Sequence, residues 1–358
     1  MEKHPQITVD RIGKFLGELR HRLWLDHLPL TVAVYQCPEP ITYADAVQQS
    51  YTPVAVGYQW GPAWSTAWFH VQGEYPAEWA GSTVAALIDT GSEALVWQDG
   101  APAQGLDVNR QDFVLEYDAA GAGQVDLYIE AAGNELFGAR QMKGRDPEHM
   151  FTLHTASLAR LNTPVWDLSH DIRVLLDLAT RLPEDSSRRA RLIYALNEVV
   201  NLVRQNGDDA IPQAREILAK EFDKPADASV SDVMGIGHSH IDVAWLWPLR
   251  ETKRKASRTF STVLKYMERY PEYHFTQSQP QLYAYVKENY PALFARIKDA
   301  VATGRWEPEG AMWVEADCNI ISGESMIRQI LYGTRFFREE FGVENSILWL
   351  PDVFGYSA

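Results

Sequence analysis

From Thr8 to Leu25 the apolar side chains Ile12, Phe15, Leu16, Leu19 and Leu23 recur at helical spacing with Arg and Glu between them. That predicts an amphipathic N-terminal helix packed against a later part of the chain. From about Leu30 to Leu153 the texture changes to short apolar runs broken by Gly, Pro and Asp, as in 64–71, 83–88, 94–97 and 124–129. These read as strands. Asp99-Gly100 after Leu95-Val96-Trp97 is a hairpin signal, and Val125, Leu127 and Ile129 alternate with Asp126, Tyr128 and Glu130 as a half-buried strand. An all-β sandwich follows. Between Asn162 and Phe222 the period becomes helical, with Leu168, Ile172, Leu175 and Ala179 on one face and Leu192, Leu196, Val199 and Val203 on the next. Pro183 to Ser187 separates the two helices, with Ser186 or Ser187 as N-cap, and Lys224 to Ala228 reads as a linker.

After residue 231 strands and helices alternate. Val233 to Gly237 has the look of a buried parallel strand, and it is followed by a helix over Thr252 to Met267 and an apolar-aromatic strand at Tyr273 to Thr276. A helix over Gln281 to Ile297, a strand at Trp306, a helix over Glu324 to Glu340 and a last strand at Ser346 to Leu350 complete the series. Four strand–helix beginnings predict a parallel sheet or barrel. The chain stops straight after the fourth, so it is expected to be the N-terminal part of a longer protein. The organisation expected is multidomain: an N-terminal helix (1–29), an all-β jelly-roll-like sandwich (30–155), a helical linker (156–228) and the first half of an α/β barrel (229–358).

Composition narrows the partners. With 358 residues, 46% hydrophobic and 11% aromatic, the chain can build several cores. A net charge of -15 opposes binding to a phosphate backbone, so no nucleic-acid partner is expected. No apolar run approaches a membrane span and the N-terminus lacks a signal-peptide core, so the expectation is a cytoplasmic protein without a membrane partner. A homo-oligomer is compatible with all of this. Cys37 and Cys318 are far apart and are expected to be buried thiols rather than a disulfide or a thiolate metal site.

The densest chemistry lies in Gly235-Ile-Gly-His-Ser-His-Ile-Asp-Val-Ala-Trp-Leu-Trp-Pro248. His240 and Asp242 are two apart, so in an extended chain they point the same way and can offer one nitrogen and one oxygen to a single cation. His238 extends the row. Other strand ends carry Gln277, Gln279, Glu307, Glu309, Trp313, Glu315, Asp317 and Asp352. A single His near a strand end is more often hydrogen-bonded structure than a ligand, and Glu307 and Glu309 read better as solvated groups. Asp352 stands among Trp349, Phe354 and Tyr356, where an unpaired carboxylate is costly and a metal would relieve the cost. Spacing alone leaves the reaction open, since His-x-His after a first barrel strand also begins amidohydrolase-type metalloenzymes.

Longer stretches of text are more specific. His-Ile-Asp-Val-Ala-Trp (240–245), Gly-Arg-Trp-Glu-Pro-Glu-Gly-Ala-Met-Trp-Val-Glu-Ala-Asp-Cys-Asn (304–319), Ser-Gly-Glu-Ser-Met-Ile-Arg-Gln (322–329) and Trp-Leu-Pro-Asp-Val-Phe-Gly-Tyr-Ser (349–357) occur in order. Together they resemble the class II α-mannosidases of glycoside hydrolase family 38, in the cytosolic and bacterial branch. The run at 74–81 followed by Ala-Leu-Val-Trp-Gln-Asp-Gly (94–100) resembles the galactose-binding-like jelly rolls attached to many glycoside hydrolases. Trp64, Trp68, Trp79 and Trp97 are read as sandwich core rather than sugar platforms.

What the family resemblance implies is a retaining α-mannosidase acting on terminal α-mannosides of oligosaccharides. It implies zinc, or another divalent metal, held by His240, Asp242 and Asp352. Asp352 would also be the catalytic nucleophile, and Trp245 would line the sugar subsite. The family's further histidine ligand and its separate acid catalyst find no match in this sequence, so the 358 residues alone are expected to be catalytically silent. Ala311 stands where a glycine is usual, a change expected to be tolerated. Two rival readings remain: a metal-dependent amidohydrolase or deacetylase using His238 and His240, and a non-catalytic carbohydrate-binding protein.

Overall fold

The structure is a computed structural model that describes residues 4–138, 146–225, 230–352 and 354–356. The expected linker Lys224 to Ala228 lies mostly outside the described residues. Helix α1 (Pro5–Arg20) stops short of Leu25, because the next residues leave helical geometry to pair in a sheet. The strands that follow are β1 (Trp24–Pro29), β2 (Thr31–Cys37), β3 (Thr52–Val54), β4 (Gln59–Trp60), β5 (Thr66–Tyr75), β6 (Val84–Asp89), β7 (Glu93–Gln98), β8 (Ala101–Leu106), β9 (Asp112–Glu116), β10 (Gly123–Ala132), β11 (Phe151–Thr152) and β12 (Thr155–Leu161). Sheet residues thus reach beyond 30–155 at both ends. One antiparallel sheet runs β1-β12-β6-β9 and the other β3-β2-β5-β10-β7-β8. Trp60, Phe69, Ile88, Val96, Phe113, Ile129 and Leu158 fill the space between them. The Asp99-Gly100 hairpin forms as the sequence predicts: both residues have positive φ, 51° and 79°, which suits a two-residue turn between β7 and β8.

The half-buried strand expected at 125–130 is a different matter. Its Val125, Leu127 and Ile129 face the sandwich core, but Glu130 on the opposite face is buried too. The six-stranded sheet is covered on both sides, since Trp68, Leu95 and Trp97 on its outer face join Ala256, Phe260 and Leu264 in a second core. That is why β5 and β7 read as nearly continuous apolar runs. Trp68 and Trp97 are consumed by this packing, as the core reading requires, and offer no open sugar platform.

A short turn of helix, α2 (Tyr43–Ala46), stacks Tyr43 on Trp97 with ring centroids 4.8 Å apart. Helices α3 (Thr163–Arg181), α4 (Ser187–Asn206) and α5 (Ile211–Phe222) gather with α1 around Ile12, Phe15, Leu168, Ile172, Leu196 and Val199. Ser186 caps α4, its hydroxyl accepting from the Arg189 amide at 3.4 Å. Cys37 and Cys318 are half-buried rather than fully buried, and burial pushes the Cys37 thiol up.

The last region is a three-stranded parallel sheet in the order β13 (Gly237–His238), β14 (Phe275–Gln277), β15 (Trp306–Pro308), with helices α6 (Leu249–Arg269), α7 (Pro280–Asn289), α8 (Pro291–Ala302) and α9 (Gly323–Phe341). Three corrections arise here. Val233 to Ile236 is not a buried strand: Val233 is 89% exposed, and pairing starts only at Gly237 because the neighbouring strand is three residues long. Ser346 to Leu350 is irregular, with Ile347 and Leu348 exposed, since no described strand lies beside it to take its hydrogen bonds. The helix expected over Gln281 to Ile297 is two helices, divided at Tyr290 by Pro291, which cannot donate the helix hydrogen bond.

Helix α9 sits so close to the loop after β15 that a Cβ on Gly333 would lie 2.0 Å from the Ala311 carbonyl oxygen. Gly333→Ala should normally strengthen a helix. Here it is expected to destabilise the chain by about 1–3 kcal/mol through overpacking, read as a lower urea midpoint; an unchanged midpoint would mean the contact is loose.

Candidate active site

The loop 239–248 leaves the carboxyl end of β13 and is pinned at several points. Ile241 inserts into the core shared with α6, and its carbonyl accepts from the Gln279 side-chain amide at 2.9 Å. Gln279, which is buried, holds a left-handed backbone conformation with φ 62°. For a non-glycine residue that is a sparsely populated conformation, of the kind found where a site is held in place. The Trp247 indole donates to Thr252 on α6 at 3.0 Å, and Ala244, immediately before Trp245, has φ 142°. Trp245 is consequently held out into solvent at 46% exposure, edge-on to Trp247.

His240 is the hub. Its Nε2 lies 3.0 Å from Asp242 Oδ1 and 3.5 Å from Asp352 Oδ2, and its Nδ1 lies 2.9 Å from Glu315 Oε2. Contact with Glu315 is the main cause that raises the His240 pKa to about 9; burial opposes it, and Asp242 adds to it. One donor atom each from His240, Asp242 and Asp352 lies within 4.8 Å of the others. Donors about 2.1 Å from a tetrahedral ion lie roughly 3.4 Å apart, so the set fits one cation after a small contraction, and one nitrogen with two carboxylate oxygens suits zinc.

Asp352 is not buried. Its side chain is 48% exposed, so the desolvation argument from its aromatic neighbours fails, and its approach to His240 is what singles it out. The loop carrying it docks on the loop after β15. Tyr356 donates to the Ala316 carbonyl at 2.7 Å, the Asn319 amide donates to the Gly355 carbonyl at 3.1 Å, and a Cβ on Gly355 would collide with the Asp317 carboxylate. The Phe-Gly-Tyr text therefore has a steric reason. Val353 and Ser357 of the same motif lie outside the described residues.

Other strand-end polar groups do not join the cluster. His238 faces Ser278 Oγ at 3.4 Å and the Trp349 ring at 5.6 Å, and burial lowers its pKa. Glu307 is exposed, and Glu309 is half-buried with its pKa raised by burial. Asp317 accepts from the Asn319 amide. Sequence reasoning passed over Glu315 and Gln279: both stood among the polar strand-end residues, but nothing in the spacing distinguishes them from Glu307 or Gln277. His240, Asp242, Trp245 and Asp352 line a cavity of about 930 Å³ that is lined also by Asp107 and Arg110 from the sandwich.

Comparison with known proteins bears on both halves of the chain. Residues 231–358 match the glycosyl hydrolases family 38 N-terminal domain, and residues 28–159 match an alpha-mannosidase jelly roll domain. Over 99% of its length the chain is 39% identical to alpha-mannosidase 2C1 of Mus musculus, covering 36% of that protein. It is 37% identical to alpha-mannosidase G of Dictyostelium discoideum, covering 35% of it. It is also 34% identical over 85% of its length to an alpha-mannosidase of Saccharomyces cerevisiae, of which it covers 30%. The chain thus spans about a third of the length of these curated relatives. No helix among the described residues is long and apolar enough to cross a membrane. With two matched domains in succession and relatives aligned from end to end of it, the chain carries, behind a jelly roll of the alpha-mannosidase type, a region that matches the N-terminal domain of glycosyl hydrolases family 38.

Proposed function

We propose that this chain provides the nucleophile, three metal ligands and a sugar-stacking ring of a retaining class II α-mannosidase acting on terminal α-mannosides of oligosaccharides. The observation that carries the reading is the meeting of His240, Asp242 and Asp352, from two loops far apart in the chain, in a cavity that also holds Trp245. The parallel strands β13, β14 and β15 with their helices fit the opening part of an α/β barrel, in which site residues gather at the carboxyl ends of strands. The four-part division is proposed with it, its first two boundaries moved to just before Trp24 and just after Leu161 so that β1 and β12 stay with the sandwich.

In this mechanism Asp352 attacks the anomeric carbon of the mannoside, and water later releases the sugar with net retention. A partner acid about 5 Å away protonates the departing oxygen. Trp245 supports one face of the ring, and His240 and Asp242 would hold the metal together with Asp352. Zinc, when bound, supplies a template for two vicinal sugar hydroxyls and favours the ionised form of the nearby carboxylates. His238 faces Ser278 and Trp349 instead of the cluster, so the His-x-His pair needed by an amidohydrolase is not assembled.

The test is zinc titration of the chelator-stripped chain. His240→Ala and Asp242→Ala are each expected to weaken binding by more than about 100-fold, beyond the usual effect of an outer-sphere change. Because the His240 imidazole is protonated below about pH 9 and must lose that proton to bind metal, affinity should rise as pH increases toward 9. Equal zinc affinity in Asp242→Ala and the unaltered chain would overturn the reading.

A further inference from the structure

Glu315 touches the cluster without a role in the mechanism above. It lies in the loop after β15, and its side chain is only 8% exposed. Its two oxygens are engaged differently: Oε1 accepts from Ser278 Oγ at 2.9 Å, whereas Oε2 lies 2.9 Å from His240 Nδ1 as a charge contact, both atoms being buried and neither making a hydrogen bond. The opposite ring nitrogen, Nε2, is the one facing Asp242 and Asp352. A neutral imidazole carries its proton on one nitrogen and its ligating lone pair on the other. Once Asp242 and Asp352 turn their oxygens to a cation, the carboxylate at Nδ1 is the one left to hold the ring proton, which leaves the Nε2 lone pair to the cluster.

We propose that Glu315 is a positioning residue that orients His240 and selects the tautomer able to bind a cation through Nε2, with Ser278 holding the carboxylate in place. The proposal rests on the metal-site reading given above. A plainer role would be a buried ion pair that merely ties two loops together. The loops, however, have a separate tie. Gln279 donates to the Ile241 carbonyl at 2.9 Å, and its side-chain oxygen accepts from the Glu315 amide at 3.5 Å. Neither contact uses the Glu315 carboxylate, so removing that group leaves the loops connected.

The experiment is zinc titration of the metal-stripped chain, combined with imidazole nitrogen NMR of the zinc-loaded chain and melting of the metal-free chain. Glu315→Ala is expected to weaken zinc binding about 10- to 100-fold and to remove the carboxylate-held Nδ1–H resonance of His240. The metal-free melt should change little above pH 9, where the His240–Glu315 ion pair no longer contributes. Glu315→Asp, which keeps the charge on a shorter arm, should lie between the two. Ser278→Ala keeps the carboxylate but frees it, with an expected loss of several-fold; it decides the matter if Glu315→Ala does not fold. Zinc affinity and the Nδ1–H resonance unchanged in Glu315→Ala, or in Ser278→Ala when only that variant folds, would overturn the proposal. So would an affinity loss accompanied by an equal loss of metal-free stability above pH 9. Asp242→Ala separates the two levels. If it binds zinc like the unaltered chain, the metal reading falls and this inference with it. If it abolishes binding while Glu315→Ala does not matter, the assignment of Glu315 alone is wrong.

Discussion

Replacing Asp352 by asparagine is expected to cut turnover by about 10⁴-fold or more in any preparation that hydrolyses an α-mannoside, because the change removes the oxygen proposed to attack while keeping the side-chain shape. Trp245→Ala should act differently. The ring is 46% exposed in the cavity and meets Trp247 edge-on, and it offers a stacking surface rather than a reacting group, so its loss should raise KM more than it lowers kcat. A fluorinated mannosyl substrate followed by peptide mapping provides the direct check. The label is expected on Asp352; a label on any other residue would refute the assignment. Asp352→Asn also removes one proposed ligand charge, so zinc affinity should be measured alongside turnover. A variant that binds zinc normally yet is inactive would separate the nucleophile from the ligand.

The second large effect concerns stability. Six charged groups are buried together where α6 meets the sandwich: Glu93 and Glu130 from β7 and β10, and Glu251, Arg254, Lys255 and Arg258 from α6. Three negative and three positive charges balance, but only when the two regions are joined. One oxygen of Glu93 accepts from Lys255 Nζ at 2.6 Å, Arg258 Nη2 at 2.9 Å and Asn134 Nδ2 at 2.6 Å. Arg254 bonds Glu251 and Thr66 and lies 3.6 Å from Glu130. Burial is the largest influence on Lys255 and lowers its pKa, with Glu93 opposing the shift.

Glu93→Ala would leave two buried cations without their shared acceptor. The expected cost is about 3–5 kcal/mol, seen as a lower denaturation midpoint. Glu39→Ala offers the contrast, since Glu39 is 66% exposed and its partner Arg250 is half-buried. That change should cost less than about 1 kcal/mol. Equal effects from the two substitutions would mean the buried cluster is not what joins the sandwich to α6. The cluster also implies that residues 231–358 expressed without the sandwich would expose the cationic face of α6.

Much of this protein is legible along the chain because the relevant information is local. The 3.6-residue spacing of Leu168, Ile172 and Leu175 requires a helix wherever that face is covered, and the Asp99-Gly100 pair has few low-energy alternatives to its turn. His240, Asp242, Trp245 and Asp352 stood out as candidates because their motifs are long and ordered. Other features depended on which element covers which. Alternation along β10 announced two faces but could not say that α6 would bury the one carrying Glu130, since Arg254 lies far along the chain. Apolar content at Val233 and Ser346 to Leu350 suggested strands, yet a strand needs a neighbour for its backbone hydrogen bonds, and the described sheet provides none at those places. Glu315 looked like any other carboxylate after β15 until folding placed it on Nδ1 of His240 and Glu307 in solvent. By itself the sequence determined the local elements and the metal-ligand candidates. Only tertiary packing decided which buried charges meet, because those pairings join residues that neither periodicity nor spacing connects.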